Sequence, residues 1–106
     1  MNKYGAKKIT DPATGYVFDS KKEFHRWCEL RLLERAGKIT DLKRQVKYEL
    51  IPKQDGERAV FYVADFVYID AEGKTVVEDT KGVRTDAYKI KRKLVLWVHH
   101  IKIKET

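Results

Sequence analysis

Apolar and polar positions along this chain follow two rhythms, and these predict its elements. Over 58–70, RAVFYVADFVYID, both odd and even positions are apolar. Phe61, Val63, Val67 and Ile69 fall on one side of an extended chain, and Tyr62, Ala64, Phe66 and Tyr68 on the other. That is the pattern of a central strand covered on both faces. KTVVEDTKG, 74–82, follows the turn AEG, predicting a hairpin with Gly73 left-handed and Asp70 opposite Lys74. An earlier strand over 44–51 is closed by Pro52 and the turn KQDGE. In SKKEFHRWCELRLLERAG, 20–37, a helix opens on a Ser20–Glu23 capping box and stops at Gly37. A second helix is expected from Thr85 or Asp86 to about Val98, with Ala87, Ile90, Leu94 and Trp97 on its inner side. HIKIKET reads as a short last strand with Ile101 and Ile103 alternating. KKITDPATGYVFDS reads as two short strands around a turn. The expected fold is α/β (α+β) in a single domain over 1–106: a core of helix, three strands, helix and strand over 20–106, after a basic arm and hairpin over 1–19.

Two positions break the apolar pattern. Asp65 stands where a Val is expected, and Val76 and Val77 run directly into Glu78, Asp79 and Lys81. A buried carboxylate is costly unless paired or bound to a cation. Asp65 could accept hydrogen bonds from a loop or pair with a buried Arg. The hairpin register adds a constraint, because counting back from Asp70–Lys74 sets Val67 opposite Val77 and Asp65 opposite Asp79. Directly opposed residues have β-carbons only ~4.5–5.5 Å apart, where like charges destabilise a sheet. A two-residue loop would oppose Asp65 to Glu78 instead, and the conflict would persist. Two such carboxylates need a cation between them.

Lys81 lies on the side of Asp79 and could neutralise the pair or contact a reacting phosphate or water. Glu78 and Thr80 point to the other face, with Glu78 expected to meet solvent or the second helix, and kept as an additional candidate for touching the site. Glu23 is accounted for by its capping box, yet Trp27 and Leu30 share its side of the helix, which turns it toward the sheet. There it could add a third oxygen to a metal.

Composition narrows the choice of partner. The chain has 106 residues, with 23 Lys and Arg against 16 Asp and Glu, a net charge of +7. That excess favours a polyanion, nucleic acid before an anionic membrane. Cys28 is the lone cysteine, so no internal disulfide forms and a reducing, cytoplasmic setting is expected. No apolar run approaches the ~18 residues that span a bilayer, and MNKYGAKKIT lacks the apolar centre of a signal peptide.

A helix Glu, a strand Asp and then Asp-x-Lys, in that order, resemble the PD-(D/E)XK nuclease superfamily with its restriction-endonuclease-like fold. The chain looks most similar to phage-encoded junction-resolving endonucleases. It also resembles a family of small phage proteins with FDSKKE, YxADFVY and VEDxKG signatures, here 18–23, 62–68 and 77–82. The likeness runs from about Tyr16 to Thr106, with Ala64 where the superfamily's name has Pro. It implies an αβββαβ core around a central mixed sheet. It implies a Mg²⁺- or Mn²⁺-dependent deoxyribonuclease of phage or prophage origin, acting in a host cytoplasm on DNA, with branched DNA among the candidate substrates. Asp65 and Asp79 would be the main metal ligands, Glu23 the helix acid and Lys81 the catalytic lysine. Gln45 resembles a polar position of some relatives. A non-catalytic basic DNA-binding or scaffold module on the same fold is the alternative.

Arg84, Lys89, Lys91, Arg92 and Lys93 surround the second helix with Asp86 the only acid among them, and beside such a site they are candidate phosphate contacts. Lys3, Lys7 and Lys8 could form a basic arm, while Lys21 and Lys22 open the first helix. His25, Cys28, His99 and His100 match no zinc spacing, and Cys28 reads as a small core residue. Trp27 and Trp97 read as core rather than as base-stacking platforms. Symmetric cleavage of two strands would need a homodimer, with the hairpin over 8–18 as the part beyond the core.

Overall fold

The computed structural model describes residues 7–106, so Lys3 of the expected arm lies outside the described residues. The elements are β1 (Ile9–Thr10), β2 (Val17–Phe18), α1 (Lys21–Arg35), β3 (Thr40–Ile51), β4 (Val60–Ile69), β5 (Thr75–Asp79), α2 (Asp86–His99) and β6 (Lys104–Glu105). β1 and β2 form a separate two-stranded sheet. The other strands form a mixed sheet in the order β3-β4-β5-β6, with β6 parallel to β5 and the other pairs antiparallel. The architecture is the α+β arrangement expected from the sequence.

Local chemistry sets the boundaries. Ser20 Oγ accepts the Glu23 N–H at 3.1 Å to open α1. Gly37, at φ 73°, closes it, with the Lys38 N–H on the Leu33 carbonyl at 2.9 Å. Thr85 Oγ1 accepts the Tyr88 N–H at 3.1 Å to start α2. In the β4–β5 hairpin Gly73 has φ 81°, the Asp70 N–H donates to the Lys74 carbonyl at 2.9 Å, and Val67 pairs with Val77. The register is the one counted from the three-residue loop. β3 starts at Thr40 rather than at 44. Its first turn of pairing is irregular around Asp41, at φ 57°, so its polar start has no clean alternation to read. β6 is shorter than HIKIKET, yet Ile103 still enters the core.

Two apolar clusters lie on opposite faces of the sheet. Leu50, Tyr62, Ala64, Val77 and Ile103 pack with Tyr88 and Val95 of α2. Phe66 and Tyr68 pack with Phe18, Ile39 and with Trp27 and Leu30 of α1. Strict alternation would keep Tyr62, Ala64, Phe66 and Tyr68 on one face, but β4 changes face between Ala64 and Phe66. The change falls at Asp65. Across from it, between the pairs Arg44–Phe66 and Val46–Ala64, Gln45 leaves the extended region with φ 55°. Phe61 and Val63 are exposed, so β4 is covered on both faces only beyond the switch.

Helix α2 is rotated from its expected setting. Its buried residues are Tyr88 and Val95, with Leu94 half-buried, whereas Ala87, Ile90 and Trp97 face outward. The inner arc is displaced by about one residue, roughly 100° of helix. Lys91 and Arg92, polar residues that an apolar count leaves out, are half-buried on the same arc. Trp97 is 77% exposed and is therefore not core. Cys28 is likewise exposed rather than a core residue, because α1 turns Trp27 and Leu30 inward on either side of it.

Candidate active site

The face switch at Asp65 brings its side chain to the end of β5. The Thr80 N–H donates to Asp65 Oδ2 at 2.8 Å, which sets the Asp65 carboxyl beside Asp79, its partner when the β4–β5 register is continued by one pair. Burial pushes Asp65 up to about 8, helped by the Asp79 hydrogen bond and charge and by the Glu23 charge, against the Thr80 N–H. Asp65 thus keeps its proton up to near neutral pH. Asp79 is 2% exposed, and Tyr62 donates its hydroxyl to Asp79 Oδ2 at 2.8 Å. Burial raises the Tyr62 phenol further, so that hydroxyl stays a donor.

Lys81 closes the group. Its Nζ lies 3.2 Å from Asp79 Oδ2 and 4.2 Å from the centre of the Tyr88 ring. The ring face supports the ammonium by cation–π attraction. The Lys81 carbonyl in turn accepts from Lys22 Nζ at 3.0 Å. Glu23 is buried at the start of α1, where burial raises its carboxyl and the Asp19 N–H and Arg44 charge oppose the rise. Its Oε2 accepts that N–H at 3.4 Å, and Arg44 Nη2 is 3.9 Å from Oε1. Glu23 therefore serves as part of the cap while standing within electrostatic reach of Asp65 and Asp79.

Glu78 has a different role from those expected: its contacts are to Arg26 and Tyr68 rather than to the acidic site. It is 0% exposed and touches neither solvent nor α2. Arg26 of α1 grips both of its oxygens, with Nη2 at 3.0 Å from Oε2, and Tyr68 donates to Oε2 at 2.6 Å. Burial would raise this carboxyl, but the Arg26 and Tyr68 contacts outweigh it and hold Glu78 below the usual range. Adjacent residues on β5 face opposite sides, so Glu78 ties the strand to α1 while Asp79 looks toward α2. Nothing in the sequence pattern points to this anchor, because Arg26 sits among many exposed cations.

Gln45 stands across from Asp65 by register and is exposed. A non-glycine residue in the left-handed region inside a strand costs of order 1–3 kcal/mol and tends to mark a functional or strained place. Its neighbour Arg44 carries no sequence signal that sets it apart from the other cations. Arg44 stacks on Phe18 at 4.4 Å and Tyr16 at 4.9 Å and donates to the Val17 carbonyl at 3.1 Å. Its buried Nε has no hydrogen-bond partner among the described residues. Tyr62 and Tyr88 also escape a reading of the sequence, since an alternating strand places Tyr62 away from Asp79.

The five cations around α2 divide. Arg84 Nε lies 3.2 Å from both Glu105 oxygens, and Arg92 Nη1 lies 3.7 Å from one of them. Glu105 also accepts the Tyr88 hydroxyl at 2.7 Å. Lys89 and Lys93 are exposed and Lys91 is half-buried, with no carboxylate at ion-pair distance from any of the three among the described residues. Lys7, Lys8, Lys21 and Lys22 are exposed. His99 Nε2 lies 2.6 Å from the Glu49 carbonyl oxygen, away from His25 and Cys28 on α1. No helix among the described residues is long and apolar enough to cross a membrane.

No group of three or more His, Cys, Asp or Glu is set at metal-ligand spacing among the described residues. The protein oxygens available to a cation here are those of the Asp65–Asp79 pair, with Glu23 behind them. Hard carboxylate oxygens of this kind suit Mg²⁺ or Mn²⁺, and magnesium commonly takes one or two carboxylates and fills the rest of its shell with water and phosphate oxygens. The donor set fits such an ion. Neither a curated protein nor a solved structure matches the chain. The whole chain, residues 1–106, matches a family profile, and the protein belongs to that family, DUF1064, described as "Protein of unknown function".

Proposed function

We propose that this protein is a Mg²⁺- or Mn²⁺-dependent DNA endonuclease that hydrolyses phosphodiester bonds. The observation that carries the reading is the placement of Asp65 and Asp79 together at the end of β5, with Lys81 Nζ 3.2 Å from Asp79 Oδ2, on a chain of net charge +7. Two acids held together destabilise a fold and repel DNA, so a module that only binds DNA has no use for them. A divalent cation turns that liability into a phosphate-binding centre.

Asp65 and Asp79 would hold the ion, which supplies Lewis-acid charge at the phosphate and a more acidic water. Tyr62 and the Thr80 N–H fix the two carboxylates by hydrogen bonds, so little reorganisation is needed as charge develops. Lys81, seated on Tyr88, presents its ammonium to the same spot and stabilises negative charge on the phosphate oxygens. Glu23 adds negative potential from the helix start, which favours positive charge between the two Asp residues, a divalent cation the more for its double charge. Lys89 and Lys93 extend the positive surface along α2 for sequence-independent phosphate contacts.

The direct test is incubation of pure protein with branched, single-stranded and duplex DNAs, with and without Mg²⁺ or Mn²⁺. Metal-dependent cutting by the wild type, abolished in Asp79→Asn with the fold intact by circular dichroism, is the expected result. DNA binding without cleavage under every metal condition would establish the basic binding or scaffold module instead.

A further inference from the structure

The outward face of α2 carries an aromatic ring that the fold does not use. Trp97 is 77% exposed, more than any other large hydrophobic residue among those described, and Ile90 is 58% exposed. Ile90, Lys93 and Trp97 are spaced i, i+3, i+7 and form one stripe. Lys89 flanks it, and neither Lys89 nor Lys93 has a carboxylate at ion-pair distance among the described residues. The sole acid of the helix, Asp86, lies at its far end.

We infer that Trp97 is a stacking platform for an unpaired base of single-stranded DNA, with Lys93 and Lys89 on the adjoining phosphates. This rests on the nuclease reading above and extends it to the form of DNA engaged. Charge complementarity selects the occupant. A second copy docked on this stripe would bring the Lys89 and Lys93 side chains of two chains into one desolvated interface, where unpaired like charges oppose association. A polyanion with flat apolar rings meets both features at once, and every base offers a π-face to an aromatic side chain. A paired duplex keeps those faces stacked inside the helix and cannot offer one to Trp97.

Position supports the same occupant. Tyr88, which seats Lys81, and Trp97 are nine residues apart on one helix, about 14 Å along its axis and on opposite sides of it. A strand held by its phosphate at Asp65, Asp79 and Lys81 must therefore pass around α2, beside Lys89 and Lys93, to lay an unpaired base on Trp97. The site thus favours DNA with a flexible single-stranded segment leading away from the cleaved bond.

Tryptophan emission tests this without cleavage. The full chain is titrated with oligothymidylate and with a blunt hairpin duplex in EDTA, alongside Trp97→Phe and Trp97→Ala, both surface changes. Oligothymidylate should quench a component of emission that is missing in Trp97→Phe, since Trp27 is buried. Trp97→Ala should weaken single-strand binding by about 5- to 150-fold, the range for loss of one base–aromatic stack, and leave duplex binding nearly unchanged. Equal losses on both DNAs, or no loss on either, would overturn the assignment. So would a concentration-dependent dimer in sedimentation that Trp97→Ala abolishes, which would make a second copy the occupant. Because the titration is free of metal, quenching with no cleavage in the metal-loaded assay would sink the nuclease and leave the stacking site standing, and cleavage with no quenching would do the reverse.

Discussion

Replacing Asp65 by Asn tests the chemistry of the acidic pair through the stability of the metal-free protein. The folded-state value of Asp65 is about 8 against an ordinary 3.8. A raised value means that the folded protein binds the proton more tightly than the unfolded chain. The stability that this proton supports is complete below the unfolded value and is lost as pH rises through the folded one. About four pH units at about 1.4 kcal/mol each set a ceiling of roughly 6 kcal/mol on the loss between about pH 4 and pH 8. Asp65 is only partly buried by surface area, and part of its rise comes from the neighbouring Asp79 charge rather than from burial. Solvent screening of that charge and of the exposed part reduces the expected loss to about 2–3 kcal/mol.

Asn is neutral at every pH, can donate to the Asp79 carboxylate and can still accept the Thr80 N–H. Asp65→Asn should therefore match the wild type near pH 4 and gain stability steadily up to about pH 8, with a plateau above. On a domain of this size the plateau corresponds to roughly 10 °C in Tm. Urea denaturation across that range, with EDTA present, measures the difference directly. A gap that does not change with pH, or a variant less stable than the wild type above pH 8, would mean that Asp65 is not held protonated toward neutral pH. Glu23 is also raised, mainly by burial; because its charge contributes to the Asp65 rise, Glu23→Gln in both backgrounds separates the two contributions.

The other expectations concern turnover, affinity and the strand anchor. Lys81→Ala should lower turnover on cleavable DNA far more than affinity for it, because its charge acts mainly where the phosphate gains charge; equal losses in single-turnover rate and Kd would make it an ordinary phosphate contact. Lys89→Ala with Lys93→Ala should reduce the slope of log affinity against log salt on duplex DNA by roughly 0.9 for each phosphate no longer neutralised, and an unchanged slope in a binding titration would show a merely solvated face. Arg26→Ala leaves Glu78 buried without its partner and should destabilise the protein by about 3–5 kcal/mol, whereas a loss well under 1 kcal/mol in chemical denaturation would mean that water reaches Glu78.

Much of this architecture is legible in the sequence because local signals there agree with the tertiary structure. Ser20 before Glu23, Gly37 after the first helix and Thr85 before the second each satisfy backbone groups that no other part of the fold supplies. The AEG turn with Gly73 at positive φ sets the β4–β5 register, and that register puts Asp65 beside Asp79. Features that depend on distant contacts are not legible. The polar start of β3 is a strand only because β4 pairs with it, and Glu78 is buried only because Arg26 reaches it from α1.

The reading of Asp65 shows how a correct pairing can rest on an incomplete picture of the strand. Perfect alternation would leave Tyr62 on the face opposite Asp65 and Asp79, with no donor for the second acid. The switch of face at Asp65, opposite Gln45 at φ 55°, turns Tyr62 and Ala64 toward α2, where Tyr62 reaches Asp79. Side-chain types do not encode that switch, since Gln ordinarily has no preference for the left-handed region. The same limit governs α2. An apolar count weights Ile90 and Trp97 and ignores Lys91 and Arg92, although both are half-buried, while Tyr88 carries both the ring that seats Lys81 and the hydroxyl that binds Glu105. Turning Tyr88 inward is what turns Trp97 out, because residues nine apart on an α-helix lie about 180° from one another. The seat for the lysine and the exposed indole are thus two consequences of one helix rotation, and a change that rolled Trp97 into the core would also remove Tyr88 from Lys81.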